Sequence, residues 1–391
     1  MTNLKAKFRS TRLFALAALT AASLGACSLF QSESSFDPVD LTTYEQTAQG
    51  HVVWSQSIGS SGDYGFTPVV VGDDVFAATP NGQVSRLALS NGAIRWSARV
   101  DGELSAGVGT DGKVVVVTTR DGRVVTLDAA TGNQLWETRS STRSSTPPVI
   151  SGEMVVVRND DFRVQGLDKR TGELQWSYMR TSAPLALKTD TAMVPGNGFV
   201  IVPLPVGRLV AIQTDNGRPL WDIKMSDAMG ATDLDSVIDV VGQPIQVDDA
   251  MCATSYQGAV LCYRGGTAQA APQLKWTRRF SSSVGLGASP NRVYASGMHG
   301  ELTAFNSDNG EIIWQDDVLR NRGLSNPVYF NNKIYVGDYQ GYMHFFDPNI
   351  GQIQGRMSVG DSRAIKSPLI VTPYGVLVQT GGGKLVMLGA Q

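Results

Sequence analysis

The apolar positions of this chain fall into short runs cut by glycine turns. Val114–Val117 and Val155–Val157 are continuous apolar stretches, as expected of strands covered on both faces. An Asp-Gly pair, a second strand ending in Leu-Asp and a Thr-Gly turn follow, and a Trp stands four residues after that glycine. The clearest copy is Leu127–Trp136 (LDAATGNQLW), and Leu167–Trp176 (LDKRTGELQW) repeats it. The glycine of the first turn recurs at 82, 122, 207, 258, 300, 341 and 383, with Phe162 in its place once. Five residues after each comes a large apolar residue: Leu87, Leu127, Leu167, Ile212, Tyr263, Phe305, Phe346 and Leu388. Nine further on stand Trp96, Trp136, Trp176, Trp221 and Trp314. Trp276 arrives four residues late, Gly355 replaces the seventh, and the chain ends before an eighth.

A period of about 40 residues with several short strands each indicates a β-propeller. Eight turn positions predict an all-β, eight-bladed propeller of four-stranded antiparallel blades. Trp54, unassigned near the N-terminus, supplies the missing tryptophan if its strand completes the C-terminal blade. That arrangement closes the ring and leaves no long open edge. An open solenoid or two sandwiches would not explain the matched deficit at the two ends. Pro68, Pro148, Pro244 and Pro327 each precede a turn position by fourteen residues, with Pro368 close to that register. Each is expected to open an innermost strand. The tryptophans, Trp54 included, are expected to pack between blades as structural residues.

Residues 1–26 read as a secretory signal: Lys5, Lys7, Arg9 and Arg12 precede a ten-residue apolar run, Leu13–Ala22. Leu24-Gly25-Ala26-Cys27 resembles a bacterial lipobox, which implies cleavage before Cys27 and its lipidation. Ordinary signal cleavage near Ala26 is the alternative. Several acyl chains would anchor the protein firmly, and by the same resemblance Ser28 favours the outer membrane, periplasmic face. Residues 27–50 read as a polar, flexible tether, and 51–391 as the propeller.

Without the signal the balance is 29 basic against 35 acidic residues. No basic run stands out, so nucleic acid is not an expected partner. Cys252 and Cys262 lie symmetrically about Gln257-Gly258 on adjacent strands, where a disulfide or two buried thiols both fit. The three histidines occupy different repeat positions, and no HExxH, CxxC or GxSxG occurs. The chain is therefore read as non-catalytic, with no metal and no cofactor beyond the lipid on Cys27.

The repeat resembles the tryptophan-docking motif of pyrroloquinoline quinone (PQQ) dehydrogenases, over about residues 51–391. This resemblance implies the fold and hardly the chemistry. Such enzymes carry vicinal cysteines and a calcium site, which this chain does not match. A PQQ-dependent dehydrogenase-like quinoprotein, or a periplasmic ligand- or polysaccharide-binding propeller, is the alternative function.

Two stretches break the period: Thr181–Met193 and Ser226–Gly242. Each follows an outermost strand, so both should lie on the face of the Asp-Gly turns, as neighbours. A third insertion, Arg264–Pro272, must lie on the opposite face. With the lipobox and the blade count, the first two resemble segments of the BamB family. Its members are lipoprotein subunits of the outer-membrane β-barrel assembly machinery. That resemblance implies docking on the barrel subunit BamA, through its periplasmic POTRA domains, alongside the other Bam lipoproteins. The family's L-x-L-[R/K] segment corresponds to Leu185-Ala186-Leu187-Lys188. Its acidic segment corresponds to Thr232–Val241, with Asp233, Asp235 and Asp239 retained, and with Ser236 and Val241 departing from the family's Arg and Asp. Leu185 and Leu187 are implied as apolar anchors, and Lys188, Asp235 and Asp239 as charged contacts at the rim.

Overall fold

The computed structural model describes residues 36–60, 66–180, 190–225, 238–267 and 270–391. Residues 39–391 form one unit, built of eight four-stranded antiparallel sheets. Blades 1 to 7 span 69–99, 109–139, 149–178, 194–224, 240–279, 287–316 and 328–358. Blade 8 pairs three C-terminal strands within 370–390 with Gly50–Ser57 as its outer strand. The closing ladder runs from Gly50 opposite Ala390 to Ser57 opposite Lys384, with Trp54 opposite Met387. First strands of successive blades touch around the centre. We call the face with the second-to-third-strand turns and the blade-to-blade connections the upper face.

The repeat motif is explained by one contact. Six of the seven tryptophans lie on the glycine of the next blade's lower turn and donate their indole N–H to a carbonyl beside it. Trp54 bonds the Leu89 carbonyl at 3.0 Å, Trp96 that of Ala129 at 2.9 Å and Trp136 that of Lys169 at 2.8 Å. Trp176, Trp276 and Trp314 repeat this on Thr214, Ser307 and Pro348. The glycine is needed twice over. At Gly172 φ is +78°, and a Cβ there would stand 2.5 Å from the Trp136 ring. The Asp before it shapes the turn: Asp168 Oδ1 accepts the Arg170 and Thr171 N–H groups and the Thr171 hydroxyl. These bonds hold the Asp168 carboxyl below its usual range.

Two seams lack this contact. At blade 5 the insertion 264–272 separates the third strand (Ala259–Arg264) from the outer one (Gln273–Arg279), and Pro272 stands where the glycine should be. Among the described residues Trp221 docks on no such glycine, and its buried indole nitrogen has no hydrogen-bond partner. Inside that blade, Cys252 and Cys262 sit directly opposite and form a disulfide.

At the seam of blades 7 and 8, Gly355 replaces Trp because the chain's own N-terminal segment passes there. A Cβ on Gly355 would collide with the Ala48 carbonyl, and one on Gly50 with Met357 and Phe345. The tether expected over 27–50 is therefore bound from Val39 onward. Val39 N–H donates to the Arg320 carbonyl (3.1 Å), and Arg356 Nη2 donates to that of Thr42 (2.9 Å). Thr47 and Ala48 N–H both reach the Gln354 carbonyl (2.9 Å). Leu41 and Tyr44 pack against the cluster that holds Trp314.

Pro68, Pro148 and Pro327 stand just before innermost strands, as expected. Pro244 does not: it lies inside Val240–Val247, where the register shifts between Val241 and Ile245. A residue without an N–H fits such a bulge.

Blade 7 also holds a buried ionic cluster. Arg322 Nε and Nη2 donate to Asp338 Oδ2 (3.0 and 2.8 Å), His344 Nε2 lies 3.1 Å from the same oxygen, and Arg322 Nη1 donates to the Val39 carbonyl. Burial pulls His344 below its ordinary pKa. The Asp338 carboxylate opposes that shift, while Arg356 and Arg322 reinforce it.

Two outcomes are expected. Gly172→Ala should lower stability by about 1–3 kcal/mol more than Gly152→Ala, read from urea midpoints. Gly152 has a similar φ of +62° but nothing within 4 Å of a new Cβ, so equal losses would remove the docking argument. The second concerns pH. A histidine with a lower pKa folded than unfolded contributes stability that is present above about pH 6.5 and lost as pH falls below it. The melting temperature should drop from pH 7.5 to 5.5, with a shallower slope in His344→Gln. Parallel slopes would show that another group carries the effect.

Candidate partner-binding face

The upper turns are not equivalent around the ring. In blades 1, 2, 6, 7 and 8 a glycine takes the left-handed conformation, at Gly82, Gly122, Gly300, Gly341 and Gly383. In blades 3 and 5 other residues do so, Phe162 (φ 64°) and Gln257 (φ 51°), and in blade 4 Val206 (φ 63°) joins Gly207 (φ +61°). A β-branched residue there is strained, and such strain collects at functional surfaces. These three blades flank the two breaks in the repeat. Residues 181–189 leave blade 3 for blade 4, and 226–237 leave blade 4 for blade 5.

What holds the strained turns is visible at the roots of those breaks. Asp239 Oδ1 accepts the Val206 N–H at 3.1 Å, and the Asp239 carbonyl accepts the Tyr256 N–H at 2.8 Å. Ile238 is fully buried, and its Cγ2 faces both Gly207 and Gly258, at 2.9 and 3.1 Å from where their Cβ atoms would be. Phe162 lies beneath the Arg158 guanidinium, 5.5 Å from ring centre to Cζ. Burial pulls Arg158 down to about 10, against the pull of Asp239 and Asp160, so it stays charged at neutral pH. The two breaks also meet. Gly242 N–H donates to the Asp190 carbonyl (2.7 Å), Ala192 N–H donates to that of Gly242 (3.2 Å), and Thr191 pairs with Gly242 as a parallel bridge.

The expected contact residues fare differently. Cys27, Leu185, Leu187, Lys188 and Asp235, with Asp233, lie outside the described residues. Asp239 is described, and it is not an exposed rim charge. It is 5 % exposed and bonded into the turn of blade 4. The acidic run of the sequence does not show this, because Val206 is 33 residues away. A residue the sequence reading missed is Gly242, which bridges the two roots. The sequence carries no signal of it, because Pro244 keeps the fourteen-residue spacing and the register shift between Val241 and Ile245 appears only in the sheet.

Among the described residues no three His, Cys, Asp or Glu side chains gather as a metal site. Asp338 and His344 are sealed within blade 7. Cys252 and Cys262 join strands inside blade 5. A hollow on the upper face between blades 2 and 3, lined by Arg120, Thr142, Arg143, Asp160 and Asp161, has its charges paired, as in Arg143–Asp160 at 2.8 Å and Arg120–Glu103 at 2.9 Å.

Known proteins place this architecture. The family model described as outer membrane protein assembly factor BamB matches residues 40–106, 81–290 and 269–391. An outer membrane protein assembly factor BamB of Taylorella asinigenitalis is 44% identical over 379 residues, covering 97% of this chain and 98% of the relative. The crystal structure of BamB from Moraxella catarrhalis superposes with a TM-score of 0.78 at 28% identity, covering 87% of this chain and 99% of that one. A quinohemoprotein alcohol dehydrogenase from Comamonas testosteroni reaches a TM-score of 0.65 at 12% identity, covering 89% of this chain and 78% of that one, and shares the fold alone. With the family model matched along the whole propeller, the chain belongs to the family of outer membrane protein assembly factor BamB.

Proposed function

We propose that this protein is a non-catalytic scaffold of the outer-membrane β-barrel assembly machinery. It is held at the periplasmic face of the outer membrane by lipid on Cys27. Its upper face binds the periplasmic POTRA domains of a BamA-like barrel subunit, within a complex that includes other Bam lipoproteins, and assists outer-membrane protein insertion. The observation that carries this reading is the joined pair of roots at Asp190 and Gly242. It brings the described roots of the two breaks together, Asp190–Ala192 beside Gly242. Covered blades leave loops as the variable surface of a propeller. Leu185 and Leu187 supply apolar anchors, Lys188 meets a partner carboxylate, and Asp235 meets a partner cation. Anchors dominate such interfaces, while rim charges set orientation and on-rate.

Recovery of the partner's periplasmic domains by immobilised protein tests the surface. Leu187→Ala should weaken binding by about 1–3 kcal/mol, and Leu185→Ala/Leu187→Ala should lose it. A lower-face control such as Thr267→Ala should bind as wild type. Equal recovery from all variants, each still folded, would discard this surface. The anchor is tested separately: Cys27→Ala should move the protein from membranes to the soluble periplasmic fraction. Persistent membrane fractionation in cells lacking the barrel partner would refute lipid anchoring at Cys27.

A further inference from the structure

We infer that Asp239 acts as a positioning residue, which together with Gly242 fixes the shared footing of the two excursions, and that it makes no ion pair with the partner. The inference rests on the proposed docking surface and assigns a different role to one of its acidic residues.

Three observations carry it. First, Asp239 is 5 % exposed, and its Oδ1 is engaged by the Val206 N–H. A partner cation would have to reach a carboxylate already enclosed, whereas a rim charge stands in solvent. Second, that hydrogen bond falls on the residue needing it most, a valine at φ 63°. A left-handed β-branched residue persists only where its surroundings over-determine it. The Asp239 carboxylate and the Ile238 side chain, wedged against Gly207 and Gly258, are those surroundings. Third, three residues after Asp239 the same segment is bonded to the other root. Gly242 exchanges hydrogen bonds with Asp190 and Ala192. It does so at φ +65°, packed so closely on Gly285 that a Cβ would lie 2.6 Å from the Gly285 nitrogen. The bulge between Val241 and Ile245 turns Gly242 toward that contact. Strained turn, carboxylate, wedge and bridge thus form one connected unit from blade 4 to blade 5, with the footing of both excursions inside it.

A contact role and a positioning role separate on conservative substitution. Asparagine keeps the oxygen that accepts the Val206 N–H and removes the charge, and alanine removes both. Binding of the partner's periplasmic domains is titrated at 50 and 300 mM salt for wild type, Asp239→Ala, Asp239→Asn, Gly242→Ala and Ala192→Pro. Amide exchange is followed at residues 190–193 and 204–208. Asp239→Ala should weaken binding about tenfold and speed exchange in 204–208. Asp239→Asn should restore binding to within about threefold of wild type, with an unchanged salt dependence. Gly242→Ala should weaken binding and speed exchange in 190–193. Ala192→Pro, which deletes one bridge donor without crowding Gly285, should do the same more mildly. If Asp239→Asn binds as poorly as Asp239→Ala and loses salt dependence, Asp239 is a partner contact and the inference fails. If the bridge variants loosen 190–193 while binding stays at wild-type strength, the footing does not position the surface and the inference also fails. Either result leaves the docking surface standing so long as Leu185→Ala/Leu187→Ala abolishes binding. Full binding by that leucine variant would instead remove the surface itself.

Discussion

The ring is held by an indole resting on a glycine. A tryptophan on each outer strand needs a flat neighbour without a side chain and a carbonyl in reach of its N–H. The Asp-x-x-Thr-Gly turn of the next blade supplies both. The contact is large, apolar and directional at once. It links blade to blade, so its repetition sets the angle between neighbours. It also explains why two residue types far apart in chemistry, Trp and Gly, recur together at a spacing of four. Each belongs to a different partnership: the glycine receives the previous blade's tryptophan, and the tryptophan reaches the next blade's glycine.

Where that contact is missing, the structure shows what replaces it. At blade 5 the insertion removes the glycine, and among the described residues the Trp221 N–H finds no partner. A buried orphan donor costs about 1–3 kcal/mol. The disulfide in the same blade closes a short loop in the unfolded chain and stabilises by a comparable amount, about 2–3 kcal/mol. At the last seam the replacement is the segment 39–49. The ring closes between the two ends of the chain, so no lower turn can form there, and Gly50 itself takes the glycine's place beneath Phe345 and Met357. The strap then covers the outer surface that a seventh-blade tryptophan would have filled.

Most of this was legible in the sequence because the docking motif is local. Its residues fall within one turn and one strand, and their spacing survives in every complete copy. The closure by Trp54 was legible for the same reason, as a deficit at one end matched at the other. The strap was not. Residues 39–49 show no period, and their backbone is held by the Arg320 and Gln354 carbonyls and the Arg356 guanidinium, partners some 300 positions away. Nor was the cluster of Arg322, Asp338 and His344, whose members look unremarkable until the fold buries them. Asp239 is the instructive case. Its place in an acidic run suggested a solvated charge, yet its surroundings are set by a turn in the preceding blade. Sequence reports the charge of a residue directly and its burial only through periodicity, which fails in a stretch that has none.

The same reasoning bears on how a repeat fold acquires a binding face. Eight equivalent blades would present eight equivalent upper turns, and a partner could not choose among them. Here the equivalence is broken over one contiguous arc. Blades 3 and 5 give up the left-handed glycine in their upper turns, blade 4 sets a left-handed valine before its own, and the connections between these blades are the ones that lengthen. Non-glycine left-handed turns are costly in isolation. Those of blades 4 and 5 persist because Ile238 and Asp239, entering from the second break, pack over them. Long connections, strained turns and the bonds that hold those turns are therefore one feature, confined to the part of the ring where the blades stop being copies of each other.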